Sequence, residues 1–180
     1  MPATIDLKFI FIQIIGLIGA GIYFLSYQNK ESKKLFKMQF FAFICYVIHF
    51  ILLGAFTGAI SNSVNLVRSY FLSSKNEKLH SKWACGFICF LLILVCTFTW
   101  NGPISLLPVI GNGAVTIGGY LHSEKKYRLI MIFFNAPVWI TYDVLVGSFA
   151  GVLDETLTLV AVIISIVKIG WDNLDKDKIS

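Results

Sequence analysis

The chain has 180 residues, of which 57% are hydrophobic and only 14% are charged. Soluble domains carry about 25% charged residues, and disordered chains combine low hydrophobicity with high charge, so the composition excludes both classes. Apolar runs recur along the whole chain, which excludes a soluble body behind one signal peptide and predicts an integral protein of the lipid bilayer.

Long apolar runs define the predicted elements. A helix needs about 20 mostly apolar residues to cross a bilayer, and these runs lack the alternation of membrane strands. The first run also lacks the basic segment of a cleaved signal peptide, so we expect it to remain as a span. The sequence predicts an all-α fold, with one membrane domain over residues 1–180 and a tail over residues 170–180. In chain order, the seven predicted transmembrane helices are Phe9–Tyr27, Leu35–Leu53, Ala55–Leu72, Trp83–Trp100, Pro103–Leu121, Leu129–Gly147 and Phe149–Ile169.

The basic residues predict the orientation of these helices. The net charge is +5, and every Lys and Arg except Lys8 falls on one set of alternate connections. The opposite connections, at Gly54, Asn101–Gly102 and Ser148, are short and uncharged. Because basic loops stay in the cytoplasm, we expect the N-terminus outside and the C-terminus inside, and no nucleic-acid partner. The basic residues concerned are Lys30, Lys33, Lys34, Lys37, Arg68, Lys75, Lys78, Lys82, Lys125, Lys126, Arg128, Lys168, Lys176 and Lys178.

An internal repeat is visible when the sequence is compared with itself. An offset of 93 positions, from Gly54 to Gly147, overlays the second and third spans on the sixth and seventh. An offset of 95, from Gly16 to Gly111, overlays the first span on the fifth. These offsets predict two parallel three-helix repeats, at residues 9–72 and 103–169, joined by a linker helix at residues 83–100 (3+1+3).

Both repeats contain the pattern G-x-F-x-G, at residues 54–58 and 147–151. The spacing can signal close packing between two helices. Because it spans a turn between consecutive spans here, we prefer a structural role, in which the glycines permit the reversal and a close approach.

Four short segments carry a family resemblance: His49–Gly54 (HFILLG), Asn65–Arg68 (NLVR), Leu106–Gly111 (LLPVIG) and Val146–Gly151 (VGSFAG). They resemble the YgjV-type bacterial inner-membrane proteins. This resemblance implies a bacterial inner-membrane location and carries no assigned activity. The 3+1+3 plan is also similar to that of the SWEET and PQ-loop transporter superfamily, an argument from architecture.

Polar groups inside the spans are the candidate binding residues, because they are expensive to keep in a membrane. Asn62 and Asn65 lie one turn apart near the middle of the third span, and the offset of 93 places Glu155 and Thr158 at equivalent positions. If the repeats face each other, these four side chains converge; SWEET-like carriers grip substrate with asparagines at such positions. The alternative is hydrogen bonding between helices, worth about 0.6 kcal/mol per bond. Three further candidates of similar depth are Asn112, Asn135 and Trp139.

Ionisable groups in the spans are candidates for proton or charge coupling. Arg68 either extends its side chain to the cytoplasmic interface or turns inward to pair with an acid or an anion. His49 and Asp143, with Asp154 in the same outer third, either couple protonation to opening or face the outer water layer. Glu155 is the fourth candidate for coupling. The cysteines form no tight Cys/His set, so we expect apolar fillers, no metal and no other cofactor; they are Cys45, Cys85, Cys89 and Cys96.

The sequence predicts a small-polar-solute transporter that works by alternating access, with proton coupling through Glu155 or Asp143 as a further hypothesis. The alternative is a membrane receptor or assembly scaffold that transports nothing. An enzyme is not predicted, because G-x-S-x-G, H-E-x-x-H and paired intramembrane aspartates are missing from the sequence. A homo-oligomer is compatible with the sequence, which identifies neither the solute nor a coupling ion.

Overall fold

The computed structural model describes residues 7–29 and 31–175. Within these residues the chain is helical and contains no strand, which confirms the all-α prediction. Short 3₁₀ turns lie in two of the connections, at Glu77–His80 and Pro103–Ser105, and a third, Trp171–Asn173, follows the last helix. Lys30, Lys176 and Lys178 of the predicted basic connections lie outside the described residues. The main helices are α1 (Leu7–Ser26), α2 (Ser32–Leu53), α3 (Phe56–Ser73), α4 (Lys82–Phe98), α5 (Leu106–Tyr120), α6 (Glu124–Val146) and α7 (Phe149–Ile169).

The seven helices differ in how well they suit a bilayer. Helices α1, α2, α6 and α7 are each long and apolar enough to cross a membrane, and α4 is a shorter apolar helix. Helix α3 has 18 residues but carries Asn62, Asn65 and Arg68, and α5 has only 15 residues. The predicted count of seven agrees with the number of these helices. By length and hydropathy alone, four of the seven qualify as membrane spans.

The helix ends depart from the predicted spans at three places. Helix α2 begins at Ser32 and α6 at Glu124, because charged first turns are compatible with a helix that extends beyond the apolar layer. Helix α5 begins at Leu106, because Gly102 has a positive φ of 82° and Pro103 starts a separate 3₁₀ turn. Hydropathy predicts only the part of a helix that lies in the apolar layer, and the charged first turns of α2 and α6 lie outside that layer.

The helices contact one another in a closed ring. Helix α1 contacts α2 and α7, α2 contacts α3, α3 contacts α5, α5 contacts α6, and α6 contacts α7. Helix α4 packs on α3 and α5. Ile88, Leu92 and Val95 of α4 form a small apolar cluster with Val64 of α3. Six helices therefore enclose one interior, and α4 supports one side of it.

Glycines make the two tight turns and two close approaches, as predicted. Gly54 ends α2 with φ 78°, and Gly147 ends α6 with φ 73°, a left-handed conformation that costs other residues energy. A Cβ on Gly58 would meet the Tyr142 hydroxyl at 2.9 Å, and a Cβ on Gly151 would overlap the Asp143 carboxyl group. These contacts place the ends of α2 and α6 against the first turns of α3 and α7.

Candidate functional site

A polar cavity lies inside the ring of six helices. Its volume is about 30 Å³, enough for one or two water molecules because a single water needs about 10–15 Å³. Each helix of the ring lines it, and α4 contributes no lining residue. The lining residues with polar groups are Tyr23, Tyr46, His49, Asn62, Asn65, Arg68, Asn112, Asn135, Trp139, Asp143, Asp154 and Glu155.

The structure brings together nearly all of the residues that the sequence indicated. Thr158 is the exception, because it is buried but does not line the cavity. Three polar lining residues were not predicted as site residues: Tyr23, Tyr46 and Asp154. A signal for Tyr46 was present in the sequence, since the offset of 93 places it opposite Trp139. The predicted residues that do line the cavity are His49, Asn62, Asn65, Arg68, Asn112, Asn135, Trp139, Asp143 and Glu155.

Asparagine side chains join three helices across the cavity. The Asn65 amide of α3 donates to Asn112 Oδ1 of α5 at 2.8 Å, and Trp139 Nε1 of α6 donates to the same oxygen at 3.3 Å. Asn62 Nδ2 donates to the Gly58 carbonyl oxygen at 2.9 Å. Asn112 therefore bonds neighbouring helices, which is the structural alternative raised by the sequence, and it also lines the cavity.

Arg68 turns inward instead of extending to the interface. Its side chain is 1% exposed, and its guanidinium carbon lies 5.6 Å from the centroid of the Phe43 ring. One terminal nitrogen donates to Thr116 Oγ1 at 3.5 Å, and Nε has no hydrogen-bond partner among the described residues. None of the ion pairs formed by the described residues includes Arg68. This guanidinium is a buried positive charge without an acidic partner.

Three buried acids line the same cavity. Asp143, Asp154 and Glu155 each have one carboxyl oxygen without a hydrogen-bond partner in the described chain. Asp143 lies directly over Gly151, and the Tyr46 hydroxyl is close to Asp154. The expectation that Asp143 faces the outer water layer is wrong, because only 1% of it is exposed. Its place over a glycine at a helix turn holds it inside the ring.

His49 is also buried, so its expected exposure to outer water is wrong as well. Its Nδ1 lies 2.9 Å from the Ile12 carbonyl oxygen, and its Nε2 lies 3.0 Å from Ser148 Oγ. Because a carbonyl oxygen can only accept, Nδ1 carries a proton and donates to Ile12; Nε2 accepts from the serine hydroxyl when the ring is neutral and donates to it when the ring is protonated. Ser148 Oγ in turn accepts from the Gly151 amide at the start of α7. His49 therefore links α1, α2 and α7.

The charges of the cavity are separated along its length. The acids lie near the Gly54 and Gly147 turns, since Asp143 is in the last turn of α6 and Asp154 and Glu155 are in the second turn of α7. Arg68 lies in the last two turns of α3, six residues beyond Asn62. Six helical residues correspond to about 9 Å. The cavity thus has an acidic end and a basic end, with amides between them.

A second buried polar cluster lies at the other end of the bundle, near the basic connections. Arg128 is paired with Glu124 at 2.5 Å and donates from Nε to Ser165 Oγ at 3.0 Å. Ser32 donates to the Glu124 carboxylate, and Asp175 accepts from the Glu124 amide at 2.7 Å. Sequence reasoning counted Arg128 as a loop charge and missed this cluster, although the i, i+4 spacing of Glu124 and Arg128 favours such a pair.

Comparison with known proteins gives a family. The sequence profile of the family described as bacterial inner membrane protein, Imp-YgjV, matches residues 10–172. A search of curated proteins and a search of solved structures each found no match, and the similarity to SWEET and PQ-loop proteins is not shown. The profile and the apolar helices together place the chain in a bacterial inner membrane as a multi-pass protein. The chain belongs to the YgjV family of bacterial inner-membrane proteins.

Proposed function

We propose that this protein is a transporter of a small polar solute, and not an enzyme, and that it works by alternating access between two three-helix repeats. The observation that carries the proposal is the polar cavity lined by all six helices of the ring, with buried charges of both signs. Charged groups inside a membrane are costly and commonly mark solute or ion pathways. Solute sites of repeat-built transporters lie between the repeats.

The contacts of the ring support two equivalent halves, α1–α3 and α5–α7. Helices α1 and α5 correspond to each other, and so do α3 and α7. The contact between α3 and α5 therefore has an equivalent in the contact between α7 and α1, and both contacts are present. His49 of the first half reaches Ser148 at the start of α7, and Tyr142, its equivalent in the second half, accepts from the Gly58 amide near the start of α3. The same offset relates the Gly58–Phe50 contact to the Gly151–Asp143 contact. The linker helix α4 lies beside one of the two seams.

Alternating access requires each end of the cavity to open in turn. Tyr142 and Gly58, and His49 and Ser148, join the two halves at the acidic end. Ser32 and Glu124 join them at the opposite end. The cavity has room for only one or two waters, so a solute must widen it on entering. We propose that these two sets of contacts break alternately, with the Ser32–Glu124 end cytoplasmic because the basic connections lie there.

Helix α6 supplies a place where such a movement can occur. A π-helical turn at Met131–Asn135 interrupts it, and Pro137 follows directly in the next turn. π-turns and prolines are the common causes of helix bending, because both disturb the regular backbone hydrogen bonds. Asn135 and Trp139 flank this point and line the cavity. Bending at this point would change the cavity directly.

Proton coupling is part of the proposal. Three carboxyl groups and one guanidinium line the cavity, so ionisation of every acid would leave two unbalanced negative charges among apolar helices. Proton exchange on Glu155 or Asp143 is the simplest way to balance that charge as the cavity opens and closes. An inward proton gradient should then accelerate solute uptake into vesicles that contain the protein.

The test is uptake into proteoliposomes that contain the purified protein. The probes are four radiolabelled solutes: an amino acid, a hexose, a nucleoside and a polyamine. We expect at least one probe to enter faster than into protein-free liposomes, and Glu155→Gln to abolish this entry. Glu77→Gln is the matched control, because Glu77 is exposed in the connection between α3 and α4. If no probe enters, the receptor or scaffold alternative replaces the transporter.

A further inference from the structure

We infer that the cavity selects a small zwitterion, whose carboxylate pairs with Arg68 and whose ammonium group faces Asp143, Asp154 and Glu155. This inference rests on the proposed transport function and names its substrate class. It follows from buried charges of opposite sign that line one cavity without pairing with each other.

The basic end can bind an anionic group. A buried charge without a counter-charge is strongly destabilising, because the charge has lost its contacts with water. Native proteins therefore seldom bury an arginine without an acidic partner. Arg68 is held by Phe43 and by one long hydrogen bond to Thr116, and its Nε has no partner among residues 7–29 and 31–175. A guanidinium suits a carboxylate, since it can donate two parallel hydrogen bonds to it.

The acidic end can bind an ammonium group. An ammonium has three donors, and the unpartnered acceptors at this end include one oxygen on each of the three acids. Asn135, eight residues before Asp143 on α6, contributes another unpartnered carbonyl oxygen further along the cavity. In the described chain, no three His, Cys, Asp or Glu side chains lie close enough together to hold a metal ion. The acceptors are spread around the cavity, which suits an organic ammonium better than a compact metal site.

The walls between the two ends limit the size of the solute. Trp139 and Tyr46 form aromatic sides, and Gly111 packs so closely that an added Cβ would lie 3.0 Å from the Trp139 ring. Asn65 Oδ1 has no hydrogen-bond partner among the described residues, so it can accept from a polar group between the two ends. Arg68 lies about 9 Å along α3 from the level of Asn62, which favours a slim, unbranched chain between the two charged groups.

The first test compares matched ligands on the purified wild-type protein. Thermal stabilisation is measured with γ-aminobutyrate, β-alanine and ε-aminohexanoate, and with butylamine, butyrate and glucose as controls that lack one or both charges. We expect at least one amino acid to bind about tenfold or more tightly than butylamine and butyrate, because each pairing with a buried charge contributes a charge-assisted hydrogen bond. Equal binding by a singly charged control or by glucose, or no binding by any of the three amino acids, would overturn the inference.

The second test assigns the two ends to residues. In Arg68→Gln, γ-aminobutyrate and butylamine should bind alike, because the carboxylate no longer has a partner; Arg68→Lys should keep part of the preference. In Glu155→Gln, the difference between γ-aminobutyrate and butyrate should shrink. If Arg68→Gln fails to fold, the wild-type comparison still decides. Uptake of a hexose but no amino acid would refute the zwitterion and leave transport standing, whereas no uptake of any solute would refute both.

Discussion

Replacing Gly151 by alanine tests the position of Asp143 in the cavity. A Cβ built on Gly151 overlaps the carboxyl group of Asp143. Asp143 is short and 1% exposed, so its carboxyl group can move only slightly, into a cavity with room for one or two waters. The substitution must therefore displace either the acid or the first turns of α7 from their native positions.

The magnitude follows from two opposing effects. Overpacking of a dense interior costs about 1–3 kcal/mol. Replacing a helical glycine by alanine gains up to about 1 kcal/mol through helix propensity. Gly113→Ala is the matched control, because Gly113 is also helical and a Cβ there meets no atom within 4 Å. We expect the control to be neutral or stabilising, and Gly151→Ala to be about 2 kcal/mol or more less stable than the control.

The assay is unfolding of each purified variant in detergent, followed by circular dichroism. A double variant with Asp143→Ala provides the critical comparison, since it removes the group that the new methyl would meet. The loss caused by Gly151→Ala should shrink by at least about 1 kcal/mol in that background, as expected for residues in contact. If the two effects simply add, or if Gly151→Ala is as stable as Gly113→Ala, the placement of Asp143 over Gly151 is refuted.

Two further substitutions test the fold outside the cavity. Arg128→Gln leaves the buried Glu124 without its counter-charge and should lower the free energy of unfolding by about 3 kcal/mol. Lys126→Gln, on the exposed side of the same turn, should change it little. Equal effects of the two substitutions in a denaturant titration would contradict the buried pair. Gly54→Ala should lower the free energy of unfolding by about 1 kcal/mol because of the positive φ, although no atom lies within 4 Å of the new Cβ. The control is Gly86→Ala, which is equally open but lies inside α4 and should not lower the melting temperature. A Gly54→Ala protein as stable as the wild type would exclude the left-handed turn.

The helices were predictable because the bilayer imposes a length and a composition on each of them. One feature escaped prediction for a physical reason. The starts of α2 and α6 lie in charged sequence that hydropathy assigns to loops. An ion pair between Glu31 and Lys34 accompanies the first turn of α2, and Ser123 caps α6. The third span was predicted at residues 55–72 although α3 is short of apolar residues, because one of its faces lines the cavity.

Part of the candidate site was predictable because the repeat offset aligns the two repeats and pairs their equivalent positions. That offset placed Asn62 and Glu155 together, and both line the cavity. It could not show that Arg68 and Asp143 point inward, because a single sequence does not define which face of an apolar helix meets lipid. Arg128 presents the same difficulty at the edge of the membrane. A charge near a predicted membrane boundary is expected to be exposed until its partners are known.

The distribution of charge between the two proposed halves has a mechanical consequence. All three acids of the cavity belong to α6 and α7, whereas Arg68 belongs to α3. The positions that the offset of 93 makes equivalent to Asp143 and Asp154 are Phe50 and Ser61, and the position equivalent to Arg68 is Ala161. The halves therefore share glycine turns and helix contacts, but they carry opposite charges toward the cavity. A solute with both charges would pair with both halves at once. Its binding would therefore favour a closed ring, widened from the one- or two-water cavity of this structure, over either open form. The reason is that a ligand shifts a conformational equilibrium only by binding one state more tightly than the other.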